Sequence, residues 1–225
     1  MKTVIITGAN GGIGQATAKK FLNEGWKVFG TSLTEQIDFD HENLQSISFD
    51  LTDPKSIENT TNTITKAGEK IDVLINCAGV ALDSWDEGVN MDKVRETFEV
   101  NLFGLIDFTE RILPIINHSG HIVNLSSRYG SFIMPIDNNT SIGYRMAKAS
   151  LNMYTRFLAF RLKDQNITVS SVNPGWVKTA MGFDGATENS KPDREPEEPA
   201  QEIYDLATSD VESGQFWYKG TKQDW

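Results

Sequence analysis

Three residues in the middle of the chain have the types and spacing to move a proton. Tyr144 and Lys148 lie four positions apart in a stretch, residues 142–162, whose apolar positions Leu151, Tyr154, Thr155, Leu158 and Leu162 recur at helical spacing. Residues four apart share one face of a helix, one turn from each other. A free tyrosine titrates near pH ~10 and is a poor acid or base at neutrality. An ammonium one turn away favours the phenolate, so the spacing predicts a Tyr144 pKa lowered by Lys148. Ser127, just past the strand-like run Gly120 to Leu125, could hold a reacting oxygen by a hydrogen bond. Alone, a Tyr-x-x-x-Lys pair is most often an ordinary surface pair. What surrounds it gives it meaning.

The first fourteen residues supply that setting. Val4-Ile5-Ile6 is a β-branched run that feeds into Thr7-Gly8-Ala9-Asn10-Gly11-Gly12-Ile13-Gly14, and an amphipathic stretch follows to Glu24. Strand, glycine turn and helix together are what a nucleotide-phosphate site requires. Glycine lets the backbone approach a pyrophosphate, and the helix start offers unpaired N–H groups. The spacing is G-x-x-x-G-x-G, and no Gly-Lys-Ser/Thr follows, which argues against a P-loop and phosphoryl transfer.

The remaining elements alternate. Strands are expected at residues 2–6, 27–31, 44–49, 72–75, 120–125, 167–172 and 215–218. Helices are expected at about 54–66, started by Asp53 and Pro54, over 91–117 as two helices with Pro114 near the end, over 142–162, and near 197–208. This order predicts an α/β fold in one domain over 1–225, with a central parallel sheet between two helical layers. Asn76, Ser127 and Asn173 all fall just past strand ends, where ligands bind in open parallel sheets. Residues 130–143 read as irregular, and residues 184–198, with Pro192 and Pro196, as polar and mobile.

Composition narrows the function. The 225 residues carry a formal net charge of -10 with Lys and Arg scattered, so no basic groove for nucleic acid is expected. Cys77 is the single cysteine and reads as a buried inert thiol. It makes no convincing metal site with His41, His118 and His121. The last two flank a Ser-Gly turn, where solvent-facing roles are usual. No signal peptide and no run of membrane-spanning length is evident, so a cytoplasmic protein without membrane partners is expected.

Taken in order, these motifs resemble the short-chain dehydrogenase/reductase family of the classical type. The resemblance spans Lys2 to about Thr179 and is nearest the carbonyl-reductase-like branch that includes sniffer and C-factor proteins. It rests on the glycine turn, on Asn76-Cys77-Ala78-Gly79, on Val100-Asn101-Leu102-Phe103-Gly104, on the Ser126-Ser127 pair, on Tyr144-Arg145-Met146-Ala147-Lys148 and on Asn173-Pro174-Gly175-Trp176-Val177-Lys178-Thr179. It implies a Rossmann-like three-layer fold and hydride transfer between a nicotinamide cofactor and a carbonyl or secondary alcohol. The implied catalytic set is Asn101, Ser127, Tyr144 and Lys148, with Tyr144 as acid/base and Asn101 holding a water that links Lys148 to solvent. The implied cofactor contacts are Gly8, Asn10, Gly11, Gly12, Ile13 and Gly14 at the pyrophosphate, Ser32 at the ribose, Asp50 and Leu51 at adenine, and Asn76, Ala78 and Gly79 beside them. Tyr144, Lys148, Pro174, Gly175, Val177 and Thr179 complete the nicotinamide end.

The family position for the carboxylate of NAD-preferring members is Ser32, and the next, often arginine in NADP-preferring members, is Leu33. Thr31, Ser32 and local N–H groups tolerate a 2′-phosphate, so NADP(H) is preferred over NAD(H), with Glu35 as the residue that could reverse this. The substrate side, Ala81, Leu82, Arg128, Tyr129, Ile133, Trp176 and Phe183, is largely apolar and suits a small ketone, aldehyde or quinone-like carbonyl. A substrate loop is expected at about 180–198. The alternatives are an NAD-dependent dehydrogenase of a specific hydroxyl on a sugar, steroid or acyl thioester, and a non-catalytic dinucleotide-binding regulator. Three departures stand out: cysteine at the second position of the Asn-Asn-Ala-Gly segment, a longer serine-to-tyrosine interval at 137–143, and little chain after Thr179. Pairing through the helices at about 102–117 and 144–162 implies a homodimer or homotetramer, with Leu105, Phe157 and Phe160 at an interface or in the core.

Overall fold

The computed structural model describes residues 1–225 except Glu35, Asp137 and Asn189. Among the described residues, eight strands form one sheet: β1 Thr3–Ile6, β2 Lys27–Ser32, β3 Leu44–Ser48, β4 Ile71–Asn76, β5 Ile116–Leu125, β6 Thr168–Val172, β7 Gln215–Tyr218 and β8 Thr221–Gln223. The spatial order is β3-β2-β1-β4-β5-β6-β7-β8. Every pairing from β3 to β7 is parallel, and β7–β8 is an antiparallel hairpin. The expected central parallel sheet is present from β3 to β7 and gains one antiparallel edge strand, β8. Its extra edge strand is only three residues long, too short to leave a periodic signal.

The helices are α1 Gly12–Asn23, α2 Pro54–Lys66, α3 Met91–Phe98, α4 Gly104–Ile112, α5 Ile142–Arg161, α6 Ala180–Asp184 and α7 Glu197–Thr208. They cover both faces of the sheet. On one face Phe21, Leu22 and Trp26 pack with Ile203 and Leu206 against Val4, Ile6 and Ile75. On the other, Ile57, Ile64, Phe108, Ile112 and Leu158 pack against Ile5, Phe29, Leu74 and Ile122. Burial on both faces explains why β1 and β4 read as continuous apolar runs rather than alternating ones. The result is a three-layer Rossmann-like fold, as the strand and helix pattern predicts.

Local signals held where they were strong. Asp53 caps α2 by accepting from Lys55 N at 3.0 Å, with Pro54 as the first helical residue. The tract 91–117 is two helices, α3 and α4, joined by a π-helical turn at Glu99–Phe103. It stops earlier than its periodicity suggests. Pro114 lacks an N–H, the chain tightens into a 3-10 turn at Leu113–Ile115, and Ile116 already pairs with Ile71 in the sheet.

Register brings the chemistry to one edge. Ile6 pairs with Ile75, Asn76 with Asn124, and Leu125 with Val172. The carboxyl ends of β1, β4, β5 and β6 are thus level. Thr7 to Gly14, Cys77 to Gly79, Ser126 to Gly130 and Asn173 to Thr179 all leave the same side of the sheet. Strand order reverses between β1 and β4, the crevice where such sheets bind ligands.

Candidate active site

The glycine turn is built by contact. Gly8 has a φ of +70°, and a Cβ there would lie 3.0 Å from Ala78 Cα. A Cβ on Gly14 would lie 2.1 Å from Gly8 O, so the first turn of α1 is pressed onto the loop before it. Thr7 Oγ1 accepts from Cys77 N at 2.9 Å and from Ala78 N at 3.0 Å, tying this turn to the Asn-Cys-Ala-Gly segment. Gly11 precedes α1 and offers no side-chain cap, so the first-turn N–H groups are left for an anion. These features fit a dinucleotide pyrophosphate.

The ribose end is neutral at the expected positions. Ser32 Oγ donates to Thr34 O at 2.7 Å, and Asn10 Oδ1 accepts from Asp38 N at 2.9 Å, which ties Asp38 to the glycine loop. Leu33 is exposed. Glu35, the residue weighed against NADP(H), lies outside the described residues. Asp50 Oδ1 accepts from Thr52 N and Thr52 Oγ1, both at 2.8 Å. Leu51 is buried under α4, where a Cβ on Gly104 would lie 2.0 Å from Leu51 O.

Asn76, the last residue of β4, points its side chain inward. It is buried, and its Nδ2 donates to Thr109 Oγ1 at 3.0 Å and to Asn124 Oδ1 at 2.8 Å. Asn124 passes the chain on to Thr155 Oγ1 at 2.9 Å. This buried ladder locks β4, β5, α4 and α5 together. Ala78 and Gly79 line the turn itself. A Cβ on Gly79 would meet Asn101 Oδ1 at 3.1 Å and Lys148 Nζ at 3.6 Å.

Asn101, Ser127, Tyr144 and Lys148 converge from separate elements. Asn101 sits fully buried in the π-helical turn. Its side chain is clamped on Val80, accepting from Val80 N at 2.8 Å and donating to Val80 O at 2.7 Å. Its amide therefore serves the backbone after β4. Ser127 ends the β5 segment, and its Oγ accepts from Tyr129 N at 3.2 Å. Lys148 is buried and donates to Leu125 O at 2.8 Å, with its Nζ 5.6 Å from the centre of the Tyr144 ring.

The electrostatics overturn one expectation. Burial pushes the Tyr144 phenol up to about 12, against a smaller downward pull from the Ser127 hydrogen bond. Burial also brings Lys148 down to about 8, with Cys77 opposing. Within the protein's own groups, desolvation is the largest influence on the phenol, opposite in sign to the effect expected from spacing. Cys77, expected to be buried, is half-buried, and desolvation pushes its thiol up to about 12, so it stays protonated near neutrality. His121, expected to face solvent, is inside β5 with Nε2 2.9 Å from Ser170 Oγ, and burial lowers it to about 4. Among the described residues, no cluster of three or more His, Cys, Asp or Glu could hold a metal ion.

Past β6, Gly175 takes a φ of +80° and its N donates to Asn173 Oδ1 at 3.0 Å. Pro174 and Val177 are buried, so Val177 offers backbone alone. Thr179 caps α6, accepting from Gly182 N at 3.1 Å, and its methyl lies where a Gly12 Cβ would be, 2.3 Å away. Thr179 therefore rests on the glycine turn.

Two residues here carry no sequence motif. Arg194 is buried, donates to Pro174 O at 2.6 Å and pairs with Glu202. Its backbone also bridges Val177. Arg194, inside the stretch expected to be mobile, is thus anchored, and the short helix α6 ends where that stretch begins. The second residue is Asp83, buried in the loop after β4 against the start of α5. A charged side chain inside a polar stretch, ahead of a run that folds, is the only cue either one gives.

Of the expected substrate wall, Ala81, Leu82, Tyr129 and Trp176 are half-buried, while Arg128, Ile133 and Phe183 are exposed. Trp176 Nε1 donates to Gly182 O at 2.8 Å, and Trp85 Nε1 donates to Asp184 O, joining the 81–86 loop to α6. Exposed Phe132, Ile136 and Met181 extend the apolar character of these loops.

An open parallel sheet with a glycine turn at its reversal point and a Ser–Tyr–Lys set over the strand ends defines a nicotinamide-dependent oxidoreductase. The chain belongs to the short-chain dehydrogenase family, whose description as "short chain dehydrogenase" matches residues 2–189. It is 33% identical over 184 residues to serine 3-dehydrogenase of Agrobacterium fabrum, covering 79% of this chain and 72% of that one. It is 28% identical over 187 residues to the 3-oxoacyl-acyl-carrier-protein reductase FabG of Vibrio cholerae, covering 80% and 75%. The fold superposes on NADPH-bound carbonyl reductase from chicken fatty liver with a TM-score of 0.89 and 26% identity, covering 100% of this chain and 99% of that one. The Sniffer protein of Caenorhabditis elegans, at 21% identity and a TM-score of 0.84 with all of both chains covered, bears on the fold alone. The chain is accordingly an NAD(P)(H)-dependent oxidoreductase that moves a hydride between a dinucleotide and a carbonyl or alcohol.

Proposed function

We propose that this protein reduces the carbonyl of a small, largely apolar substrate, using NADPH. The observation that carries it is the convergence of Ser127, Tyr144 and Lys148 at the strand ends beside Gly79. A tyrosine phenol is protonated at neutral pH, so Tyr144 can give its proton to a forming alkoxide. NADPH supplies the hydride when bound. Ser127, held beside the start of its turn by Tyr129 N, orients the substrate oxygen and stabilises its growing charge. Lys148, fixed by Leu125 O beside Gly79, holds the nicotinamide ribose. The first turn of α1 holds the pyrophosphate, and the backbone from Pro174 to Thr179 shapes the nicotinamide pocket.

Preference for NADP(H) is supported by the absence of a carboxylate at Ser32 and by the NADPH bound in the chicken carbonyl reductase. Exposed Trp85, Phe132, Ile133 and Phe183 support an apolar or aromatic substrate. The likeness to serine 3-dehydrogenase favours a second reading, oxidation of a hydroxyl on a small polar molecule with the same residues run in reverse.

The oligomer is proposed from one surface. Phe103, Met153, Phe157 and Phe160 are exposed on and beside α4 and α5, whereas Leu105 is in the core. A homodimer or homotetramer through this face buries them, and light scattering giving only monomer mass would rule it out. Among the described residues no helix is long and apolar enough to cross a membrane. A cytoplasmic location and the absence of nucleic-acid partners remain part of the proposal, supported by a net charge of -10.

Titration with NADPH and NADH, followed by nicotinamide fluorescence, tests the cofactor reading. NADPH should bind more tightly, and Ser32→Asp should reverse the preference. Turnover of aromatic and aliphatic ketones and aldehydes with NADPH, set against serine oxidation with NADP+, separates the two substrate readings. Binding of neither dinucleotide would overturn both.

A further inference from the structure

Helix α5 lacks a cap of its own. The residue before it, Ser141, is in the left-handed region at φ 58° and ψ 32°, and its side chain makes no capping hydrogen bond. The first-turn N–H groups of a helix need acceptors, most often from that residue. Here the acceptor comes from sixty residues earlier. Asp83 Oδ2 accepts from Gly143 N at 2.5 Å, and Asp83 Oδ1 lies 3.3 Å from Tyr144 N.

The carboxylate is 1% exposed. Its own loop is pinned as well: Ser141 N donates to Asp83 O at 3.0 Å, and Val80, three residues before, is clamped by Asn101. A Cβ on Gly143 would lie 3.1 Å from Asp83 Oδ2, so a glycine is what lets the carboxylate reach the helix start. A buried anion on the positive end of a helix makes charge-assisted bonds, stronger than neutral ones.

We propose that Asp83 is a positioning residue for Tyr144, fixing the backbone from which the phenol reaches the substrate. This rests on the reading of Tyr144 as the proton donor. It connects the 80–86 loop, the π-helical turn and the reacting hydroxyl into one rigid path. A misplacement of about 1 Å at a reacting group costs on the order of a hundredfold in rate. NADPH binding, by contrast, depends on the glycine turn and on Lys148, which has its own anchor at Leu125 O.

The test uses the full chain with Asp83→Ala, Asp83→Asn and Asp83→Glu. Asp83→Ala should lower kcat by about ten- to a hundredfold, with the NADPH dissociation constant changed by less than about threefold. Asp83→Asn keeps one of the two acceptor oxygens, so it should recover part of the kcat lost in Asp83→Ala. Asp83→Glu keeps the charge but displaces it, and should lower kcat with NADPH affinity retained. Hydrogen exchange of the amides at 142–144 supplies a readout without substrate: protected in the wild type and in Asp83→Asn, faster in Asp83→Ala. If Asp83→Ala does not fold, the asparagine and glutamate variants decide by the same criteria. The assignment is overturned if kcat and NADPH affinity fall in the same ratio, if Asp83→Asn behaves like Asp83→Ala, or if exchange at 142–144 is the same in every variant. A wild type that turns over nothing would instead count against the functional reading, and amide exchange alone would then decide for or against Asp83.

Discussion

Lys148 Nζ lies 5.6 Å from the centre of the Tyr144 ring and gives its hydrogen bond to Leu125 O. The two residues share a helix face, but burial acts on them in opposite directions: the phenol is pushed up to about 12 and the ammonium down to about 8. Both shifts favour the neutral form of the side chain. That places the proton on Tyr144 when the site is asked to reduce a carbonyl.

The first prediction concerns Tyr144 itself. Tyr144→Phe keeps the ring and removes the proton, so kcat should fall by about 10² to 10⁴, with NADPH affinity nearly unchanged. Alcohol oxidation needs the phenol to accept a proton instead. With its pKa near 12, the deprotonated fraction grows about tenfold per pH unit below that value. Oxidation should therefore climb from pH 7 to 10. A profile of oxidation that is flat above pH 7 would show the phenol already ionised there.

Lys148 makes a stability prediction. Its folded pKa of about 8 lies below the ordinary 10.5, so burying the ammonium costs stability below pH 8, and that cost fades between pH 8 and 10.5. The difference of roughly 2.5 units corresponds to about 3 kcal/mol. Lys148→Met loses the bond to Leu125 O at every pH but escapes this cost. Its stability relative to the wild type should be most favourable at pH 7 and should decline by up to about 3 kcal/mol by pH 10. Denaturant titrations at the two pH values check this, and parallel behaviour would mean the ammonium is solvated in the folded state.

Two glycines in one turn should respond differently to the same methyl group. A Cβ on Gly14 would stand 2.1 Å from Gly8 O, whereas one on Gly11 would find its nearest neighbour, the same oxygen, at 3.8 Å. Gly14→Ala should cost about 3 kcal/mol, lower Tm by about 6 to 12 °C and abolish dinucleotide binding. Gly11→Ala should leave Tm within about 2 °C, its φ of −116° being open to any residue. Equal effects would mean the turn is not packed as described.

Arg194 is paired with Glu202 and holds Pro174 O in a buried position. Arg194→Met leaves the carboxylate without its partner and the Pro-Gly turn without its brace. A loss of about 3 kcal/mol is expected, and the double variant Arg194→Met/Glu202→Leu should recover part of it. Cofactor affinity in the single variant should weaken along with Tm. Unchanged melting would show that the segment before α7 is not a brace.

What the chain determined by itself is local. Three to six β-branched or apolar residues in a row, a glycine turn, Asp53 with Pro54, and a tyrosine and lysine four apart are each read over a few positions. Their physics is short-range: pleat, helical repeat and caps. That was enough to place the glycine turn, Asn76, Ser127 and Asn173 at strand ends of a parallel sheet, and Tyr144 and Lys148 one turn apart on a helix.

The tertiary structure decided everything that depends on distance in sequence. Asp83 reaches α5 across sixty residues, Arg194 reaches Pro174 across twenty, and Asn76 turns inward to Thr109 and Asn124. No spacing rule encodes those encounters. The sign of the Tyr144 shift was decided there too. Spacing sets how near the ammonium lies, but desolvation depends on everything packed around the ring, and that is known only once the chain has folded.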